Sequence, residues 1–295
     1  MPSRGRESLG KPRSLDFDHD RSDVTPPLRA ATLPRVPDPS SHVERIRDQF
    51  TRQADAYTQM AQTRDEAGLR GLVALTGAKP SDRTLDVACG PGLLTLAFAE
   101  RCAEVRGIDA TDALLDRARS EAARRGRTNV TFARGDVNHL DVPDASFDVV
   151  SCRAAFHHFP DPARALAEMA RAAVPGGTLL VADMLGLEDP AKARAHDHIE
   201  RLCDPTHTRA IPRSELHAMF AAQGLAVVHQ PTSPLHYDVE EWMAHGGPDA
   251  GAAAEIRRLF EESLAGDRCG LSVRREDGRL RFSHTGAAFV LRKPA

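Results

Sequence analysis

No run of eighteen apolar residues occurs in the chain, so the sequence offers no membrane-spanning helix. The opening residues, Met1-Pro2-Ser3-Arg4-Gly5-Arg6, lack the apolar core of a secretory signal. Cysteine is scarce and odd in number. Cys89, Cys102, Cys152, Cys203 and Cys269 include no C-x-x-C pair, which argues against a disulfide framework and for a reducing, cytoplasmic setting. Neither sign of charge dominates. The formal net charge is −3, and lysine stands only at Lys11, Lys79, Lys192 and Lys293, so the basic residues are mostly arginine. Composition therefore makes no electrostatic case for a nucleic-acid partner. No internal repeat is visible. At 295 residues the chain suits one large domain or one domain with an insertion.

What is present divides into three stretches. Residues 1–40 are rich in Pro, Arg, Asp and Ser. Pro26, Pro27, Pro34, Pro37 and Pro39 oppose a helix, and too few apolar residues remain to offset ordering entropy, so a disordered tail is expected. From residue 41 a domain begins. Val43, Ile46, Phe50, Ala54 and Tyr57 recur at helical spacing, and a second helix is expected over Arg64–Thr76. Strands then alternate with helices: Thr84–Ala88, Glu104–Ile108, Val130–Ala133, Phe147–Cys152 and Gly177–Ala182 are separated by Leu93–Cys102, Thr111–Arg125 and Pro162–Ala173. That alternation predicts a parallel sheet covered by helices on both faces. The rhythm breaks after Met184. Segments 184–212 and 232–270 read as a lid or insertion, and Leu271–Val273, Leu280–Ser283 and Ala287–Arg292 read as hairpin-like closing strands.

The first strand runs from Asp86 into Cys89-Gly90-Pro91-Gly92 and then into an apolar helix. Two glycines let a ligand approach the backbone, and the helix start leaves N–H groups unpaired. Ligands of open α/β sheets sit at such strand ends. The turn alone reads as well as a structural turn. Asp109, however, closes the second strand, where a carboxylate accepts ribose hydroxyls, and Asp136 follows the third, where it could accept from an adenine amino group. Any one such acid could be a helix cap, whereas three in register point to a bound nucleotide.

These residues resemble the class I S-adenosylmethionine (SAM)-dependent methyltransferases, and most closely the small-molecule branch that includes ubiquinone/menaquinone-biosynthesis-type enzymes. The match is carried by Asp86–Gly92 as D-x-x-C-G-x-G, Asp109, Gly135-Asp136, Phe147-Asp148-Val149-Val150 with His157-His158-Phe159, and Val174-Pro175-Gly176-Gly177. It implies a Rossmann-like fold: a seven-stranded, mostly parallel sheet with an antiparallel C-terminal strand and helices on both faces. It implies SAM as cofactor, held by Tyr57, Asp86, Ala88, Cys89, Gly90, Gly92, Asp109, Ala110, Asp136, Val137 and Arg153. Tyr57 or Arg153 would meet the methionine carboxylate. The expected activity is methyl transfer to O, C or N of a small organic molecule, such as a secondary metabolite or quinone. His157 or His158 is the candidate base, since histidine titrates near neutrality.

Four other readings carry less of the sequence. A nicotinamide-dependent enzyme would want a third glycine where Thr95 stands. A nucleic-acid methyltransferase would want Asn/Asp-Pro-Pro-Tyr/Phe where Ser151-Cys152-Arg153-Ala154 stands. A SAM-binding enzyme of the same fold that catalyses a non-methylating cyclisation or rearrangement keeps every cofactor residue. A partner-binding module using residues 1–40 leaves those residues unexplained. A homodimer is the assembly such a chain could form. His196, His198, Cys203 and His207 invite a metal reading, but His196 and His198 lie about 200° apart on a helix. They are therefore expected on the surface, with no metal.

Overall fold

The computed structural model describes the backbone of residues 39–59 and 65–295 and the side chains of 42–53 and 65–295. The expected disorder of the tail thus concerns residues that lie almost wholly outside those described. Its end does not: Pro39 opens helix α1 (Pro39–Gln59) instead of preventing one. Proline is tolerated in the first helical turn, where its missing N–H has no intrahelical partner to lose.

The chain continues through α2 (Glu66–Leu75), β1 (Arg83–Val87), α3 (Leu93–Ala99), β2 (Glu104–Asp109), α4 (Asp112–Arg124), β3 (Val130–Arg134), β4 (Phe147–Arg153), α5 (Pro162–Ala172) and β5 (Ala173–Gly186). It closes with α6 (Pro190–Cys203), β6 (Ile211–Pro212), α7 (Arg213–Ala222), β7 (Ala226–His229), β8 (Thr232–Asp238), α8 (Val239–Gly246), α9 (Ala250–Ser263), β9 (Arg274–Glu276) and β10 (Arg279–Arg292). The central sheet runs β3-β2-β1-β4-β5-β10-β7. The strands from β3 to β5 are parallel, and β10 is antiparallel to both of its neighbours. This is the expected α/β architecture, with β6, β8 and β9 joined off the seven-strand path. Strand order reverses between β1 and β4, so the crevice at their carboxyl ends is where such a sheet takes a ligand.

The chain after β5 differs from the expectation in one respect that matters. The closing strands are not separate short hairpins: β10 is one strand of 14 residues. Its second half pairs with β5, while its first half overruns the sheet and pairs with β8, from Arg281 opposite Asp238 to Ala287 opposite Thr232. Gly286, in the gap between the expected strands Leu280–Ser283 and Ala287–Arg292, is a strand glycine. A Cβ there would stand 3.0 Å from Leu235 Cδ1, so the missing side chain lets β8 pack closely. The overrun carries a core of its own, with Ile199, Trp242, Ile256, Phe260 and Phe282 buried together.

Gly92 should be the least replaceable glycine of the first turn. Its φ is +78°, and a Cβ would lie 2.9 Å from Ala118 Cβ and 3.0 Å from the Phe132 ring. Gly126, at φ +63°, has nothing within 4 Å of that position. Gly92→Ala is expected to destabilise the fold by about 3 kcal/mol, combining left-handed strain with overpacking, and Gly126→Ala by about 1 kcal/mol from strain alone. Urea unfolding of the two variants side by side checks the difference. Equal losses would mean that the close packing behind Gly92 carries no energy.

Candidate active site

The turn after β1 holds Ala88 at φ +53°, Gly90 at +54° and Gly92 at +78°. Ala88 is a non-glycine residue held left-handed, a conformation that costs roughly 1–2 kcal/mol and persists only when its surroundings impose it. Two carboxylates fix the backbone on either side of it. Asp109 accepts the Gly90 N–H at Oδ2 and the Thr111 N–H at Oδ1, both at 2.8 Å. Asp86 accepts hydroxyl protons from Thr95 (2.6 Å) and Ser151 (2.8 Å). Burial pushes the Asp86 carboxyl up to about 6, against the pull of both hydroxyls. Asp86 therefore borders the crevice with its oxygens engaged, bracing β1 against α3 and β4.

The crevice continues past these residues. Ala88, Cys89, Gly90, Asp109, Ala110, Asp136, Val137 and Arg153 line it, with Leu114 and Phe159 as apolar walls. Gly92 is absent from the lining; it serves the packing behind the turn. Cys89 is buried and its thiol is pushed well up by burial, which makes it inert. Asp136 is exposed, and its Oδ1 accepts the Asn138 N–H at 2.9 Å. Val43, Ile46 and Phe50 of α1 close the crevice from above. Arg47 of the same helix donates to the Ala110 carbonyl at 3.1 Å. Tyr57 lies on α1, but its side chain is outside those described.

A second cavity, of about 690 Å³, shares Phe50, Arg153, Ala154 and His158 with the crevice. The single turn Phe156–His158 sets two imidazoles with centroids 4.2 Å apart at its edge, and the structure gives them different work. His157 Nδ1 lies 2.6 Å from Asp183 Oδ1, and Asp183 also accepts the Met184 N–H at 2.7 Å. The carboxylate fixes the proton on Nδ1 and leaves Nε2 as the basic nitrogen. Burial works to lower the pKa of His157, but the Asp183 charge prevails and raises it. His158 is driven down to about 3 by burial and by the neighbouring His157, so it stays neutral. It is held at Nδ1 by the Thr206 carbonyl at 3.2 Å, and its own carbonyl accepts from His42 Nε2 at 2.9 Å. Asp183 escaped the sequence reading, although it stands near the carboxyl end of its strand as Asp86 and Asp109 do. Among the larger apolar side chains near these compartments, Trp242 reaches this cavity and Phe159 the crevice, while Phe156, Met219, Leu202, Met243 and Phe260 pack in the cores.

The reading of His196, Cys203 and His207 as surface residues is overturned. Their exposures are 1%, 2% and 3%, and only His198 is exposed. His196 and His198 do diverge, as the helical angle requires. The residue that His196 meets is Glu200, one turn on, with His284 arriving from β10. The overrun of β10 makes that meeting, and it could not be read from local spacing.

Residues 85–181 match the Methyltransferase domain family. The uncharacterised methyltransferase YcgJ of Bacillus subtilis (strain 168) is 34% identical over 209 residues, covering 70% of this chain and 82% of that protein. Its crystal structure superposes with a TM-score of 0.72 at 30% identity, over 78% of this chain and 99% of that one. A demethylmenaquinone methyltransferase of Deinococcus radiodurans is 32% identical over 160 residues, 52% of this chain and 66% of its own. A crystal structure from Bacillus halodurans C-125 gives a TM-score of 0.74 at 27% identity, over 78% of this chain and 100% of that one.

The Asp86 brace makes a pH-dependent prediction. Thr95→Val is nearly isosteric and removes one donor from a buried carboxylate, at a cost of about 2 kcal/mol. In the fold Asp86 titrates at about 6, above its ordinary 3.8. At pH 7.5 the fold thus holds it ionised and the lost donor is felt in full. At pH 5 it is protonated in the fold and the penalty shrinks. Denaturant unfolding at the two pH values checks this, and an unchanged penalty would remove the carboxylate from the explanation.

Proposed function

The chain belongs to the SAM-dependent methyltransferases, and on that premise we propose that it methylates O, C or N of a small organic molecule held in the 690 Å³ cavity, with His157 as the base. The crevice suits the cofactor in chemistry. Apolar walls at Ile46, Leu114, Val137 and Phe159 suit a flat purine, and the acids Asp109 and Asp136 suit hydroxyl and amino donors. Asp109 would hold the ribose, Asp136 the adenine amino group, and Arg153 the methionine carboxylate. Bound there, SAM supplies an electrophilic methyl group on a cationic sulfur.

The observation that carries the reading is the His157–Asp183 pair, at 2.6 Å, lining a cavity that shares a wall with the crevice. His157 takes the proton of a hydroxyl, amine or acidic carbon at Nε2, and the adjacent carboxylate balances the imidazolium. His158 cannot take that role near neutrality, because a pKa of about 3 makes it too weak a base to hold a transferred proton; it positions α1 and the Thr206 loop. Leu72, Leu75, Leu235, Tyr237 and Trp242 on the cavity wall favour an apolar or aromatic acceptor, a quinone-like or secondary-metabolite skeleton among them.

Incubation with labelled SAM and a panel of phenols, quinones and polyketides, read by mass spectrometry, tests the transfer. Failure to bind SAM at millimolar concentration in calorimetry would sink it. With an accepted substrate, His157→Ala is expected to lose roughly 10²–10⁴-fold in kcat while its SAM affinity stays within about threefold. Asp183→Asn should also slow transfer and should displace the pH profile. Asp183 raises the His157 pKa, so transfer in the parent fails as pH falls through a value above 6.5. Without that charge the acidic limb moves to lower pH. An unmoved limb, or full activity in His157→Ala, would remove the base.

A further inference from the structure

His196 and Glu200 of α6 and His284 of β10 present donor atoms that all lie within 4.8 Å of one another. The three residues are 1%, 5% and 3% exposed. Burying one carboxylate and two imidazoles is costly unless their polar atoms are satisfied. Yet both nitrogens of His196 and Nδ1 of His284 make no hydrogen bond among the described residues, and Oε1 of Glu200 faces both imidazoles. His284 Nε2 stands 3.0 Å from Glu200 Oε1, and His196 Nε2 stands 3.7 Å from it. Ligand atoms of a tetrahedral zinc ion, each about 2.0–2.1 Å from the metal, stand roughly 3.3 Å apart, a spacing these two distances bracket.

We propose that His196, Glu200 and His284 form a divalent transition-metal site whose open position faces the acceptor cavity and takes an anionic oxygen of the acceptor. Two imidazoles and one carboxylate are a donor set that zinc and iron(II) accept, and three protein ligands leave a position for a substrate. The placement fits. His196 and Glu200 are one helical turn apart on a single face. His284 enters from the strand that overruns the sheet. Glu200 and His284 both line the 690 Å³ cavity, as does His157. Phe282 and Tyr237 close the other sides of His284, with ring centroids at 5.2 and 5.4 Å. One carboxylate leaves a dication with a net positive charge, which an anionic oxygen neutralises. This last step rests on the reading of the cavity as the acceptor site; the metal site itself does not.

The full chain, stripped with chelator, is titrated with Zn²⁺ and separately with Co²⁺. The expected result is one equivalent of tightly held metal and a visible d–d band for Co²⁺. His284→Ala and Glu200→Gln should each weaken Zn²⁺ binding by at least about tenfold, and His198→Ala, exposed on the same helix, should leave it unchanged. Circular dichroism and SAM binding on the same samples report whether each variant is folded. Metal content well below one equivalent in the parent, or variants that bind as the parent does, overturns the site. Catechol, added as an oxygen-anion probe, should shift the Co²⁺ band, and an unshifted band overturns the open position. Failed metal binding with SAM binding intact refutes this site alone. Failed SAM binding with metal bound refutes the methyl-transfer reading alone.

Discussion

The Asp86 carboxylate, 1% exposed, accepts from Thr95 of α3 and Ser151 of β4 and so fastens three elements at the point where strand order reverses. A buried charge is costly, and here the cost has a structural return. The left-handed turn through Ala88, Gly90 and Gly92 has its strand end, its helix start and its neighbouring strand fixed by one side chain. Asp109 fixes the same turn from the other side through the Gly90 N–H. With both in place the crevice is built before any ligand arrives, which reduces the ordering that binding must supply.

The parts of this machinery that a reader of the sequence can find are those in which chemistry and secondary structure share a short segment. Asp86–Gly92, Asp109 and Asp136 each sit where a strand ends and a turn begins, and local pattern places them. His157 and His158 are equally visible, but the sequence cannot divide their roles. That division depends on Asp183, 26 residues on, and on Thr206, 48 residues on. The His196–Glu200–His284 group is harder still. Its helical half is the i, i+4 pair His196 and Glu200, and the nearer His198 points to the opposite face of the same helix. Its third member depends on Ser283-His284-Thr285-Gly286 continuing a strand that local signals would have broken.

The two long strands explain why crevice and cavity lie side by side. β5 and β10 run on beyond the parallel sheet, carrying Asp183 on one and His284 on the other. Along the first, the sheet pins the candidate base. Along the second, the lid core of Ile256, Phe260 and Phe282 is tied to the same backbone that closes the sheet. The segment after β5 is therefore no loose flap hung from loops. Its register with the crevice side is set by hydrogen-bonded ladders, and ladders transmit position more faithfully than loops do.

Helix α1 spans both compartments. His42 reaches the His158 carbonyl, Arg47 the Ala110 carbonyl, and Gln49 and Gln53 both reach the Gly246 carbonyl at the end of α8. One segment is thus roof to the crevice and wall to the cavity. A shift of α1 would therefore reshape crevice and cavity together. The two compartments are then coupled through four polar contacts on a single helix.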